Sequence, residues 1–244
     1  MEKYLLVLGA SSDIAKEVAC EYAKEGYNLY FAGRNINDLQ RDASDISIRF
    51  DVKVKVCHFD VLDFNSHQQF YDSLSSSPEG VVCAIGYLGN QEKSQIDFTE
   101  TKKIIDTNFT GCVSVLNIIA NDFASRRQGF IIGISSVAGD RGRGSNYTYG
   151  SSKAAFTSYL SGLRSRMAKL NVHVLTVKPG FVLTKMTQDL NLPKLLTANP
   201  EEVAKDIIRA QRSKRDVIYT KWFWWVIMFI IKSIPENVYK KLKL

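Results

Sequence analysis

Histidine and cysteine are scarce in this chain of 244 residues, three and four in number, and neither is clustered. Cys20, Cys57, Cys83 and Cys112 share no paired spacing, which argues against a zinc site or a disulfide framework. Each lies in an apolar segment and reads as a small core residue of a reducing compartment. His58, His67 and His173 stand far apart and read as structural. No apolar run reaches the roughly 20 residues needed to span a bilayer; Trp222 to Ile231 has ten. There are five prolines and no low-complexity stretch, so nothing resembles a linker. The opening "MEKYLLVLGA" enters an apolar run without a cleavable-signal pattern, so the expected location is the cytoplasm. Apolar content of 45% and charged content of 23% are ordinary for a globular chain. The net charge of +7 suits an anionic ligand or an anionic membrane surface. Nucleic acid is set aside, because no basic run carries a binding motif.

Glycine is missing where a nucleotide loop would want it. In "LVLGASSDIAKEVA", residues 5–18, an apolar run ends in Gly9, a serine pair follows, and Asp13 and Ala15 occupy positions where further glycines are familiar. After Gly9, the residues Ile14, Ala15, Val18, Ala19, Tyr22 and Ala23 keep helical spacing. Continuous apolar runs predict strands buried on both faces at Tyr4–Leu8, Asn28–Ala32, Val54–Phe59, Val81–Ile85, Phe130–Ser135, Val172–Val177 and Val217–Tyr219. Long helical patterns run near Glu100–Arg126 and Tyr147–Lys169. Strand alternating with helix predicts an α/β fold, doubly wound around a central parallel sheet of about seven strands. That domain is expected over residues 1–220, with 221–244 as an apolar and basic helical tail.

The chemistry concentrates in "ISSVAGDRGRGSNYTYGSSKAAF". Ser136 stands at a strand end, and Tyr149 and Lys153 lie four apart on one helix face. A neighbouring ammonium favours ionisation of a phenol, which makes a proton donor useful near neutrality. A Tyr-x3-Lys match is cheap, and Tyr239 with Lys243 forms a second, read as a solvated face. What distinguishes the first is the serine at a strand terminus, where open α/β sheets bind ligands.

From about Tyr4 to Tyr219 the chain resembles the short-chain dehydrogenase/reductase family, a Rossmann-type fold. The Gly9 loop, Asp60, the strand leading to Gly86, Asn108 in "DTNFTG", Ser136, Tyr149 with Lys153, and "KPGFVLT" follow in the family's order. The resemblance implies that Tyr149 protonates a carbonyl oxygen and that Lys153 tunes it and binds the nicotinamide ribose. It implies that Ser136 donates to the developing alkoxide and that Asn108 holds a water of the proton path. Cofactor contacts are expected from Gly9, Ser11, Ser12, Asp13 and Ile14, with Asp13 capping the following helix. Asp60, Val61 and Gly86 are expected to add to them, and Pro179, Gly180, Val182 and Thr184 to line the nicotinamide. At the second strand's end, "YFAGRN" offers Gly33 and Arg34 where NAD enzymes carry an acidic residue, which favours NADP(H) over NAD(H).

Arg141 and Arg143, in "DRGRGSN", are candidates to clamp an anionic substrate group; a solvated basic loop is the alternative. The tail "KWFWWVIMFIIKSIPENVYKKLKL" suits a helix lying in a membrane interface, with Lys240, Lys241 and Lys243 beside it. A subunit contact is the competing reading, and a homo-oligomer is expected. "GYLGNQ", "ISSVAGDRGRGSNY" and "SIPENVY" together resemble the bacterial reductases of polyprenyl-linked keto-sugars (decaprenylphosphoryl-2-keto-pentose reductases). Two alternatives stay open: a 3-ketoacyl-thioester reductase, and an NADP(H)-binding sensor without chemistry.

Overall fold

The computed structural model of the chain describes residues 2–188, 191 and 193–242. The short apolar runs become strands β1 (Tyr4–Leu8), β2 (Asn28–Gly33), β3 (Val54–His58), β4 (Gly80–Cys83), β5 (Gly129–Ile134) and β6 (Val172–Pro179). A two-stranded pair, β7 (Phe181–Val182) and β8 (Thr197–Ala198), precedes β9 (Val217–Thr220). The main sheet has seven strands in the order β3-β2-β1-β4-β5-β6-β9, every neighbouring pair parallel. β1, β2 and β4 are buried along their whole length, which is why their sequences are apolar without alternation.

Successive residues of each strand feed opposite layers. Leu5, Val7 and Phe31 pack with Val18 of α1 (Asp13–Lys24), Leu39 of α2 (Ile36–Phe50) and further helical residues. Leu6, Leu8 and Tyr30 face the other layer, in which Phe70 of α3 (His67–Asp72) is also buried. The chain crosses from β3 to β4 over β1, so the strand order reverses beside β1. A crevice at the strand C-termini is where such sheets take ligands.

Residues 98–126 are helical as the periodicity predicts, but not as one regular helix. After α4 (Gln91–Ile96), α5 (Phe98–Ile105) passes through a π-helical turn, Asp106–Thr110, into α6 (Gly111–Arg126). Such inserted turns recur at functional sites because the extra residue re-aims a side chain; here that side chain is Asn108, fully buried. α7 (Tyr147–Met167) follows β5, and α8 (Pro200–Arg212) precedes β9.

The tail forms α9 (Phe223–Ser233), ends at Pro235, and continues as the single turn α10 (Glu236–Tyr239). α9 is apolar on two faces with different fates. Trp224 and Met228 are buried with Val137, flanked by Phe181, Leu196, Ile227 and Ile231. Trp225 and Phe229, stacked on each other, are 58% and 62% exposed. Trp224→Ala should therefore cost about 3–5 kcal/mol of stability, and Trp225→Ala no more than about 0.5 kcal/mol. Urea unfolding of the two variants measures this difference, and equal losses would contradict the packing.

Candidate active site

The loop after β1 needs its one glycine. Gly9 has φ +76°, and a Cβ there would lie 3.0 Å from the Ile85 nitrogen and 3.1 Å from the Ala84 carbonyl. A side chain at this position would therefore strain the turn and collide with the backbone after β4. Ser12 is the N-cap residue of α1 and Asp13 its first helical residue. The expectation that Asp13 caps the helix is corrected: its carboxylate instead accepts the Lys185 N–H at 2.8 Å. Being already inside the first turn, it turns away toward the loop after β7.

Ser136 follows β5 and accepts the Ala138 N–H at 3.1 Å. The turn it opens packs directly on α7, since a Cβ on Gly139 would fall 2.7 Å from the Ala154 nitrogen. One turn into α7 stands Tyr149, and one turn later Lys153, only 3% exposed. The Lys153 ammonium donates to the carbonyls of Ile85 (3.3 Å) and Ile134 (3.1 Å) and lies 5.9 Å from the Tyr149 ring centre. Asn108 binds the backbone of Tyr87 from both sides, accepting its N–H and donating to its carbonyl, each at 2.8 Å. Gly86 lies between these groups: a Cβ there would stand 3.6 Å from Lys153 Nζ and 3.7 Å from Asn108 Oδ1.

One cavity of about 500 Å3 unites these parts. Its walls include Gly9, Ser11, Ser12, Asp13 and Ile14 on one side and Ser136, Tyr149 and Lys153 on another. Arg34, Val61 and Gly86 line it, as do Pro179, Gly180, Val182 and Thr184. Arg34 also borders a shallow surface hollow with Asn35, Ile36 and Asn37, and no carboxylate ends β2. Asp60 and Asn108 do not line the cavity. Asp60 binds the Leu62 N–H at 3.0 Å, and Asn108 stands behind Tyr87.

Sequence reasoning missed other wall residues, among them Tyr87, Lys103, Thr107, Lys185 and Met186. Lys103 and Thr107 are four apart on the run leading into the π turn, a spacing that was available. Lys103 sits 4.6 Å over the Tyr87 ring, whose hydroxyl donates to the buried Glu100 carboxylate at 2.8 Å. Burial opposes ionisation of Glu100, yet the donors Tyr87 and Asn90 N–H, with Lys93 nearby, hold its carboxyl below the usual value.

The proposed substrate clamp is overturned. Arg141 donates to the carbonyls of Ile231, Lys232 and Ile234, pairs with Glu236, and stacks 3.8 Å from the Tyr239 ring centre. The open carbonyls at the C-terminal end of α9 attract a cation, so Arg141 holds the tail. Arg143 reaches the Met228 sulfur at 3.8 Å, and neither arginine lines the cavity. Of the second Tyr-x3-Lys pair, Tyr239 donates to the Gly142 carbonyl at 2.8 Å, and Lys243 lies outside the described residues.

Residues 3–194 match the family model described as short chain dehydrogenase. The chain belongs to the short-chain dehydrogenase family. An uncharacterized oxidoreductase of Mycobacterium tuberculosis is 30% identical over 241 residues, covering 98% of this chain and 96% of that protein. A very-long-chain 3-oxoacyl-CoA reductase of Phaeosphaeria nodorum is 28% identical, covering 91% of this chain and 68% of its own. Among solved structures, a short-chain dehydrogenase from Sphingobium yanoikuyae in complex with NADPH superposes with a TM-score of 0.84. It is 19% identical, and the match covers 96% of this chain and 97% of that one. This short-chain dehydrogenase is accordingly an NAD(P)-dependent oxidoreductase acting on CH–OH and C=O groups.

The Asp13–Lys185 contact gives a direct test. Asp13→Ala removes the acceptor that holds the loop after β7, a bond to a charged group worth about 1.5–3 kcal/mol. Trypsin should then nick the chain at Lys185 roughly tenfold faster or more, whereas Asp13→Asn, which keeps an acceptor oxygen, should stay near the parent rate. Mass spectrometry of timed digests reads both rates. Equal rates in the parent and the alanine variant would show that the contact does not hold the loop.

Proposed function

We propose that the protein is an NADP(H)-dependent reductase that interconverts a ketone and a secondary alcohol through Tyr149, Lys153, Ser136 and Asn108. The observation that carries this is the convergence of Ser136, Tyr149 and Lys153 on the same cavity as the Gly9–Ile14 loop. The cavity suits a dinucleotide: Gly9 brings the loop against the backbone after β4, and α1 starts at the wall, where helix amides favour phosphate.

The nicotinamide, when bound, supplies or accepts the hydride. Tyr149 donates the proton to the substrate oxygen, while Ser136 hydrogen-bonds that oxygen as charge develops on it. Lys153, held by two carbonyls, keeps a positive charge behind the phenol and offers its remaining N–H to a ribose hydroxyl. Asn108 fixes the Tyr87 backbone beside this group and takes the place of a positioning residue for the proton path. Asp60 acts through the Val61 segment rather than by direct contact.

Arg34 at the end of β2 supports the preference for NADP(H), as does the NADPH bound by the Sphingobium relative in fold. Arg34→Ala should weaken NADPH binding about tenfold or more and leave NADH nearly unchanged, a loss of one charge-assisted contact. Fluorescence titration with both nucleotides checks it.

For the substrate we propose a lipid-linked keto-sugar carried on a polyprenyl phosphate. With the arginine clamp gone, its support is the likeness of "GYLGNQ", "ISSVAGDRGRGSNY" and "SIPENVY" to reductases of such substrates. A 3-oxoacyl thioester is the second reading, favoured by the 28% identity to a very-long-chain 3-oxoacyl-CoA reductase. We further propose a cytoplasmic homo-oligomer, supported by the exposed Ile96, Phe98 and Ile105 along the α4–α5 region.

Tyr149→Phe keeps the shape and removes the proton donor. NADPH should still bind, and turnover should fall at least ~100-fold. NADPH oxidation with polyprenyl-linked keto-sugars and 3-oxoacyl thioesters ranks the two readings. Unchanged turnover in the phenylalanine variant would rule out the catalytic assignment.

A further inference from the structure

The outer face of α9 has no partner within the described chain. Trp222, Trp225, Phe229 and Ile230 are 76%, 58%, 62% and 58% exposed, and Val226 fills the stripe between them. The opposite face is spent on Trp224 and Met228, so the helix cannot roll to hide these rings. No helix among the described residues is long and apolar enough to cross a membrane. The stripe is therefore a surface feature.

We infer that this face is a docking surface for an anionic lipid bilayer, with α9 lying in the plane of the interface. Charge selects this occupant. Residues 221–244 hold five lysines and one glutamate, and that glutamate, Glu236, is already paired with Arg141. No acidic residue interrupts 221–235, while Lys232, Lys240 and Lys241 are exposed at the far end. Tryptophan at one end of an apolar face and lysine at the other is the arrangement of interfacial helices.

A second copy of the chain fits less well. Two tryptophans, a phenylalanine and two aliphatic residues at these exposures offer on the order of 500 Å2. A stable dimer takes about 800 Å2 from each partner.

The surface is coupled to the cavity. Gly180 lines the cavity, and a Cβ on it would lie 2.0 Å from the Trp224 ring, so the helix backs directly onto the cavity wall. Arg141, in the loop that follows Ser136, holds the last turn of the same helix. Docking would thus set the orientation of the cavity relative to the lipid surface, whichever substrate the enzyme takes.

The test is flotation of the full chain with phosphatidylglycerol vesicles and with phosphatidylcholine vesicles. The comparison variant is Trp225→Glu with Phe229→Glu, which changes only exposed positions. Binding to the anionic vesicles is expected, at least tenfold stronger than to the neutral ones and weakened by salt. In the double variant it should fall at least tenfold, while NADPH binding and reduction of a soluble ketone persist, which separates this result from the catalytic proposal. Absence of the parent protein from floated anionic vesicles would overturn the inference. So would a halving of the sedimenting mass in the double variant without lipid, which would assign the face to a second copy.

Discussion

The buried Lys153 ammonium organises the cavity end of this molecule. Among the described residues Lys153 has no carboxylate partner; its bonds go to the carbonyls of Ile85 and Ile134, just after β4 and at the end of β5. A buried cation without such acceptors costs several kcal/mol. α7 is therefore stable only in the register that delivers Nζ to both carbonyls. That register sets Tyr149 one turn earlier, and the close approach of Gly139 to α7 sets Ser136 opposite it. Gly86 lies between Lys153 and Asn108, at ordinary contact distance from both. The placement of Tyr149 follows from satisfying the Lys153 charge, and that of Ser136 from the packing of Gly139 on α7.

The segment between Ser136 and Tyr149 is fixed from the other side by the tail. The Asp140 side chain is 3% exposed, pairs with Lys178 at 2.6 Å and accepts the Tyr219 hydroxyl at 2.6 Å, which ties the loop to β6 and β9. Burial and this carboxylate both keep the Tyr219 phenol protonated far above its usual range. Arg141 then reaches the open carbonyls at the end of α9, and the Tyr239 hydroxyl returns to Gly142. The arrangement has a cost, since among the described residues the buried Nε of Arg143 has no partner and a terminal nitrogen reaches the Met228 thioether. Burial pushes that guanidinium below its usual range. The tail is thus joined to the loop next to Ser136.

The sheet was legible because its strands are buried on both faces and so carry unbroken apolar runs. All seven predicted runs appear, within two residues at each end. β4 stops at Cys83 rather than Ile85 because the chain leaves the sheet there to form the cavity wall. The π turn at Asp106–Thr110 was not legible, since one extra residue in a turn scarcely disturbs helical periodicity. Neither was the direction of Arg141 and Arg143. A loop of glycines and arginines fits a substrate rim and a helix end equally well, and only the position of α9 decides between them. The tail was half legible: its apolarity is plain in the sequence. Division into a packed face and an exposed face required knowing what lies beneath Trp224.

The shortage of glycine near the N-terminus has a physical resolution. Glycines in a nucleotide loop serve different ends: a tight turn, close approach of ligand to backbone, and close packing of helix on strand. Gly9 meets the first, with its positive φ and its contact with the backbone after β4. Packing is met by Ala15, fully buried in the core that α1 shares with the sheet, where a methyl group is small enough. The middle position has become Asp13, whose helical backbone needs no glycine. Its carboxylate accepts the Lys185 N–H, and both residues line the same cavity. An acidic residue that would repel an anionic ligand is thereby turned into a brace for the loop after β7. One glycine is enough for the backbone of this loop, because the other two positions hold a methyl group small enough to pack and a helical side chain with a partner of its own.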